Sequence, residues 1–204
     1  MEFSKLSKWS LAFLSVVAFN TYVPLSSPPA LATESAQSIE VNDEKIGERN
    51  YQVSKILVNV APEHVWNILT DYDNAPYVFP CLKKCKLVKD KGATKLVEHQ
   101  IKPTGLPNTF DYIIEVKETG HHLYEWHRVS GDFREVEGFW KLEPMNDGKA
   151  TMVTYASYVN GGFFIPAPLI KRQARLDMPG VMAALKSHAE TNRQIAGINH
   201  VKAN

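Results

Sequence analysis

PLIKRQARLDMPGVMAALKSHAETNRQIAGI, residues 168–198, is the stretch on which the fold turns. Val181, Met182, Leu185, His188, Ala189, Asn192, Ile195 and Ala196 recur at steps of three and four, drawing one mostly apolar stripe along a helix. Lys186, Glu190 and Arg193 fall on the other side, where water solvates them. Pro179 has no amide hydrogen and its ring crowds the preceding turn, so a kink or break near Met178 is expected. The part after Pro179 runs for about 20 residues, roughly 30 Å of helix. A one-sided stripe of that length needs a broad apolar partner. The preceding sequence supplies strands, so a sheet curling around this helix is expected.

The strands lie upstream. Residues 51–60 alternate, with Val53, Lys55 and Leu57 set against Ser54, Ile56 and Val58, and are rich in β-branched side chains. Pro62 suits the first turn of a short helix whose buried stripe is Val65, Trp66, Ile68 and Leu69. Asp73 is placed to cap a second helical turn limited by Pro76 and Pro80. Six further strand-like runs follow, over residues 84–89, 93–102, 109–118, 121–129, 133–143 and 150–160, separated by Gly-containing turns such as Asn146-Asp147-Gly148. About seven antiparallel strands, two small helices and a long closing helix make an α+β domain over residues 48–200. Residues 33–47 are polar and read as a flexible leader.

The first residues read as a targeting segment. Lys5 and Lys8 precede an apolar run from Trp9 to Phe19, and Ala30-Leu31-Ala32 offers small residues for signal peptidase. A signal peptide over 1–32, cut after Ala32, predicts export to a periplasm, a lumen or the exterior. The other reading, an uncleaved anchor, needs a span of ~20 residues, which this run does not reach. Of 23 basic and 22 acidic side chains, the segment takes Lys5, Lys8 and Glu2, so the remainder is formally neutral. That balance gives no reason to expect a nucleic-acid partner. Lys83, Lys84, Lys86, Lys89 and Lys91 cluster locally, as a solvated strand and turn or as a patch for anionic headgroups.

Cys81 and Cys85 are the two cysteines. An even count outside the cytosol favours a disulfide, provided the tiny loop between them is not regular helix. No second cysteine pair or close histidine pair completes a zinc ligand set, so no metal is expected. No cofactor is called for.

The stretch APEHVWNILTDYDNAPYVFP, residues 61–80, resembles the opening of the START-like or polyketide-cyclase group, the SRPBCC superfamily, and in particular its coenzyme-Q-binding branch. The matching positions are Pro62, Val65, Trp66, Leu69, Thr70, Asp71, Tyr72, Pro76 and Pro80. Ile165-Pro166 ahead of the long helix, then Leu176, Pro179 and Leu185, match the family's closing part. The resemblance implies a helix-grip fold, in which a curved antiparallel sheet wraps the C-terminal helix around a hydrophobic cavity.

Large aromatics crowd the strands. Trp66, Tyr112, Tyr124, Trp126, Trp140 and Tyr155 are candidate cavity residues, joined by Met182, Leu185 and His188 from the helix. Each is equally at home in a plain core. Phe163, Phe164 and Ile165, between a Gly pair and two prolines, form a candidate portal or membrane-contact loop. Lys171 and Arg172 follow, suited to lipid phosphates. The alternative is that the three tuck under the sheet rim. No G-x-S-x-G elbow or other nucleophile setting appears, and no catalytic residue is assigned.

The leading expectation is a binding or transport protein for an apolar small molecule, such as a lipid, isoprenoid quinone or polyketide-like compound, with peripheral membrane contact. A cyclase or dehydratase using Arg128, Arg134 or Asp111 in the same cavity is the second reading. A protein-interaction module with a closed core is the third.

Overall fold

The computed structural model describes residues 38–163 and 165–202, with side-chain surroundings as far as residue 191. The expected targeting segment, Phe164 and the side chains of Asn192, Ile195 and Ala196 lie outside the described residues.

Among the described residues there are eight strands, one more than the sequence suggests. The addition is β1 (Asn42–Ile46), which pairs antiparallel with β2 (Arg49–Val58) and corrects the reading of residues 33–47 as a flexible leader. Its sequence, NDEKI, has no apolar alternation, because it is an edge strand with both faces largely in water. The turn after it makes the pairing possible: Gly47 sits at φ +59°, a conformation that costs a side-chain-bearing residue energy.

Two short helices follow, α1 (Pro62–Thr70) and α2 (Ala75–Val78). Pro62 opens α1, and Val65, Trp66, Ile68 and Leu69 are its buried face, as the spacing predicts. Asn74 rather than Asp73 precedes α2, and the Asp71 carboxylate accepts from the Asn74 amide group at 2.8 Å. Then come β3 (Leu82–Asp90), β4 (Thr94–Ile101), β5 (Phe110–Thr119), β6 (Leu123–Gly131), β7 (Glu135–Met145) and β8 (Ala150–Asn160). The sheet order is β1-β2-β8-β7-β6-β5-β4-β3, antiparallel throughout and curved. The lysine cluster lies on and just after the β3 edge, where a charged row discourages pairing with another chain. One member, Lys84, pairs with Glu98 at 2.7 Å.

The closing helix, α3 (Ala167–Lys202), runs unbroken through Pro179. The expected break is absent. The proline removes one backbone bond, to the carbonyl of Arg175, on a part of the helix that water reaches. Packing on the sheet and on α1 holds the helix across that gap. Met182, Leu185 and Ala189 are each 0 % exposed and join Val58, Val65, Trp66, Leu69 and Val153 in one continuous core.

Candidate functional site

The two halves of α3 do different things. From Met182 to Ala189 its buried face is packed solid, whereas Leu169, Ile170, Gln173, Ala174, Asp177, Met178 and Val181 roof a cavity of about 550 Å³. The opposite wall is the inner face of β4 to β8, with α2 and the start of β3 on one side.

Strand register explains the wall. Tyr124, Trp140 and Tyr155 stand opposite one another on β6, β7 and β8. Trp140 and Tyr155 stack with centroids 4.1 Å apart, and Phe79 packs on Trp140 at 6.2 Å. The neighbouring row is Trp126, Gly138, Ser157 and Gln52. Gly138 carries no side chain, and a Cβ there would come within 2.3 Å of the Trp126 ring. The indole therefore lies across the β7 backbone and reaches Tyr155, 5.9 Å away. A third row is Cys85, His99, Tyr112 and Gly131. His99 and Tyr112 meet edge to face at 5.5 Å.

Of the nine sequence candidates, Tyr112, Tyr124, Trp126, Trp140 and Tyr155 line the cavity. Trp66, Met182, Leu185 and His188 do not. Trp66 is buried on α1 against Tyr124 and His121, and Met182 and Leu185 belong to the packed half of α3. His188 lies on the exposed side of the helix; a helical stripe does not by itself separate a seam from its margin. The portal residues also divide. Ile165 enters the cavity wall, and Phe163 is 95 % exposed.

The disulfide expectation is overturned: Cys81 and Cys85 are free thiols, and both line the cavity. Cys85 stands within β3, and four residues of extended chain span ~13 Å, beyond the ~7 Å Cα separation a disulfide tolerates. Sequence reading overlooked His99, Gln52, Ser157, Phe79, Phe110 and Phe133 as wall residues. Alternation along β4 would have placed His99 beside Ile101 once register was known.

Burial keeps the interior uncharged. It pushes the His99 imidazole down to about 4, the Tyr155 phenol up to about 12 and the Cys85 thiol up to about 12. Burial also raises Tyr112, Tyr124 and Tyr72 above the usual phenol range. The Tyr72 hydroxyl donates to Glu118 at 2.8 Å, and Lys95 neutralises that carboxylate at 2.6 Å. Arg172, exposed, and Asp177, half-buried, also line the cavity from α3. Arg128 is turned to the β6–β7 connection, donating to the Gly131 carbonyl at 2.8 Å, and Arg134 and Asp111 are exposed outside the cavity.

The depressed His99 pKa has a consequence for stability. Its ordinary value is 6.5, so the unfolded chain takes up a proton first as pH falls. The stability present above pH 6.5 is lost progressively as pH drops towards about 4. Between pH 7 and 4.5, urea unfolding of the native chain should lose about 2 kcal/mol more than that of His99→Gln, which has no titrating group there. Equal slopes against pH in the two proteins would contradict a buried neutral imidazole.

Polar contacts pin the roof on both flanks. On one, Asp43 of β1 accepts from Gln52 at 3.2 Å and pairs with Lys171 at 3.4 Å and Arg175 at 3.1 Å. The Gln52 amide, ahead of the two cations, holds the Asp43 carboxyl below its ordinary range. On the other flank, the Thr104 amide donates to Asp177 at 3.0 Å, and Gln173 donates to the Thr104 carbonyl at 3.0 Å. Leu106, Leu169 and Leu176 line the cavity yet are 41 %, 55 % and 55 % exposed, which makes the rim apolar.

A family model described as "Polyketide cyclase / dehydrase and lipid transport" matches residues 58–186. No curated protein sequence matches the chain. Among solved structures, similar folds include a STAR-related lipid transfer protein from Xanthomonas axonopodis. It is 18 % identical with TM-score 0.64, covering 77 % of this chain and 96 % of that one. The Zhui aromatase/cyclase from a Streptomyces species is 13 % identical with TM-score 0.64, covering 72 % and 97 %. A START superfamily protein from Mycobacterium smegmatis is 17 % identical with TM-score 0.61, covering 69 % and 97 %. At these identities the likeness shows the helix-grip fold alone.

Proposed function

The chain belongs to the polyketide cyclase / dehydrase and lipid transport family, and from that membership and the cavity's chemistry we propose that it binds and carries an uncharged, largely apolar small molecule. Lipids, isoprenoid quinones and polyketide-like compounds are the classes in view. One observation carries the reading: an aromatic-walled cavity of about 550 Å³ whose titratable interior groups are all shifted towards their neutral forms. Burying ~300 Å² of apolar ligand surface there is worth roughly 7 kcal/mol before the costs of association. The cyclase reading finds less support, because Arg128, Arg134 and Asp111 do not line the cavity. A closed interaction module is at odds with the open space.

The exposed Phe163 and the leucine rim, with Lys171 and Arg172 beside them, support loading at a bilayer surface. The amino-terminal signal features support action outside the cytosol. Solvent extraction and mass spectrometry of protein purified natively from its own membrane extract should yield an apolar compound in near-stoichiometric amount. An empty protein that also takes up no apolar probe would refute the reading. Phe163→Ser combined with Leu176→Ser should cut co-sedimentation with vesicles of anionic and zwitterionic phospholipid several-fold. Unchanged co-sedimentation would remove the membrane part and leave binding standing.

A further inference from the structure

We infer that His99 and Tyr112 form a polar recognition point inside the cavity, reading a neutral hydroxyl or keto oxygen on the ligand. This rests on the cavity's being a binding site and narrows what it takes. The two residues are direct cross-strand partners on β4 and β5, with rings 5.5 Å apart. Both line the cavity: on β4 the next inward-facing residue, Val97, is 0 % exposed and packed, while on β5 the wall continues past Tyr112 to Ile114. Burial is the largest influence on both titrations, and among the described residues no hydrogen bond acts on the His99 imidazole or the Tyr112 hydroxyl. By contrast Tyr72 is tied to Glu118, and Tyr155 interacts with Ser157.

An unpaired polar group covered by hydrocarbon is a cost to binding, and a ligand oxygen at the same place removes it. Neutral imidazole offers one donor and one acceptor, and the phenol offers both. A hydroxyl can use either kind, and a keto oxygen can accept from the donors. An anionic head fits badly, because among the described residues Arg172 is the lining Lys or Arg, and it is exposed rather than beside this pair. The ligand class is therefore a mainly hydrocarbon, ring-bearing or chain molecule with an uncharged oxygen placed to meet this pair. A site built to hydrogen-bond an oxygen discriminates against the analogue lacking it.

The test uses three probes of one shape, 1-pyrenebutanol, 1-butylpyrene and 1-pyrenebutyrate, titrated at pH 7 by quenching of Trp126 and Trp140, which face the cavity. The double change His99→Leu with Tyr112→Phe should weaken the alcohol about tenfold and leave the hydrocarbon unchanged or tighter. His99→Gln, which keeps a donor and an acceptor, should retain most of the alcohol preference and guards against a variant that merely folds poorly. An equal loss for alcohol and hydrocarbon would assign the pair a structural role, and no loss for either would place the oxygen elsewhere. Tightest binding of the butyrate would overturn the neutral-head assignment. Failure of all three probes on the native chain would instead sink the binding reading, and this inference with it.

Discussion

Ala174→Trp is expected to abolish uptake of apolar ligands while leaving the protein folded. Ala174 faces the cavity from α3, between Ile170 and Met178, which also line it. An indole grown from that position projects into the open space and meets the wall formed by Trp126, Trp140 and Tyr155. Filling empty volume with an apolar group restores van der Waals contacts that the lining atoms lack. Tryptophan costs the helix only about 0.5 kcal/mol relative to alanine. Thermal unfolding should therefore stay within a few degrees of the native value, and binding of 1-pyrenebutanol should fall more than tenfold. A variant that still took up the probe with native affinity would show that the cavity is not where ligands go.

Leu185→Ala should do the reverse. Leu185 is 0 % exposed in the half of α3 that packs solid on β2 and α1. Truncating such a leucine removes its transfer free energy and leaves a hole the surroundings fill only partly, at about 3 kcal/mol. Urea unfolding should show that loss. The affinity of the folded fraction for an apolar probe should stay within about twofold, because the site begins one helical turn earlier, at Val181. Loss of affinity without loss of stability would mean that the boundary between packed core and cavity lies elsewhere along the helix.

The helix itself was readable because its apolar stripe is long and its period distinct. The strands from β2 to β8 were readable because turn residues punctuate them. What the stripe could not show is where filling stops. Met182 and Val181 are adjacent and both apolar, yet one is sealed in the core and the other borders open space. That difference is set by how far the sheet curves away from the helix, a property of eight strands together. The aromatics Tyr124, Trp126, Trp140 and Tyr155 could be assigned to the inner face by alternation within each strand. His99 could not, because its significance depends on the register that places it between Cys85 and Tyr112. β1 escaped for a simpler reason: an edge strand that buries almost nothing has no hydrophobic pattern to read. The cysteine pair misled because counting thiols says nothing about an extended chain holding them apart.

The five-residue strand β1 lies outside the family-matched span of residues 58–186, and trimming the protein to begin at Arg49 would keep every cavity wall residue. Such a shortened protein would nonetheless behave differently. Without Asp43, Lys171 and Arg175 lose their counter-charge, so cargo should escape faster even where its equilibrium affinity is little altered. The row of backbone groups on β2 that now faces β1 would also be laid bare, inviting two molecules to zip together edge to edge. Sedimentation of the trimmed chain should then reveal dimers and larger species, so a minimal version chosen by homology alone would be both leaky and sticky.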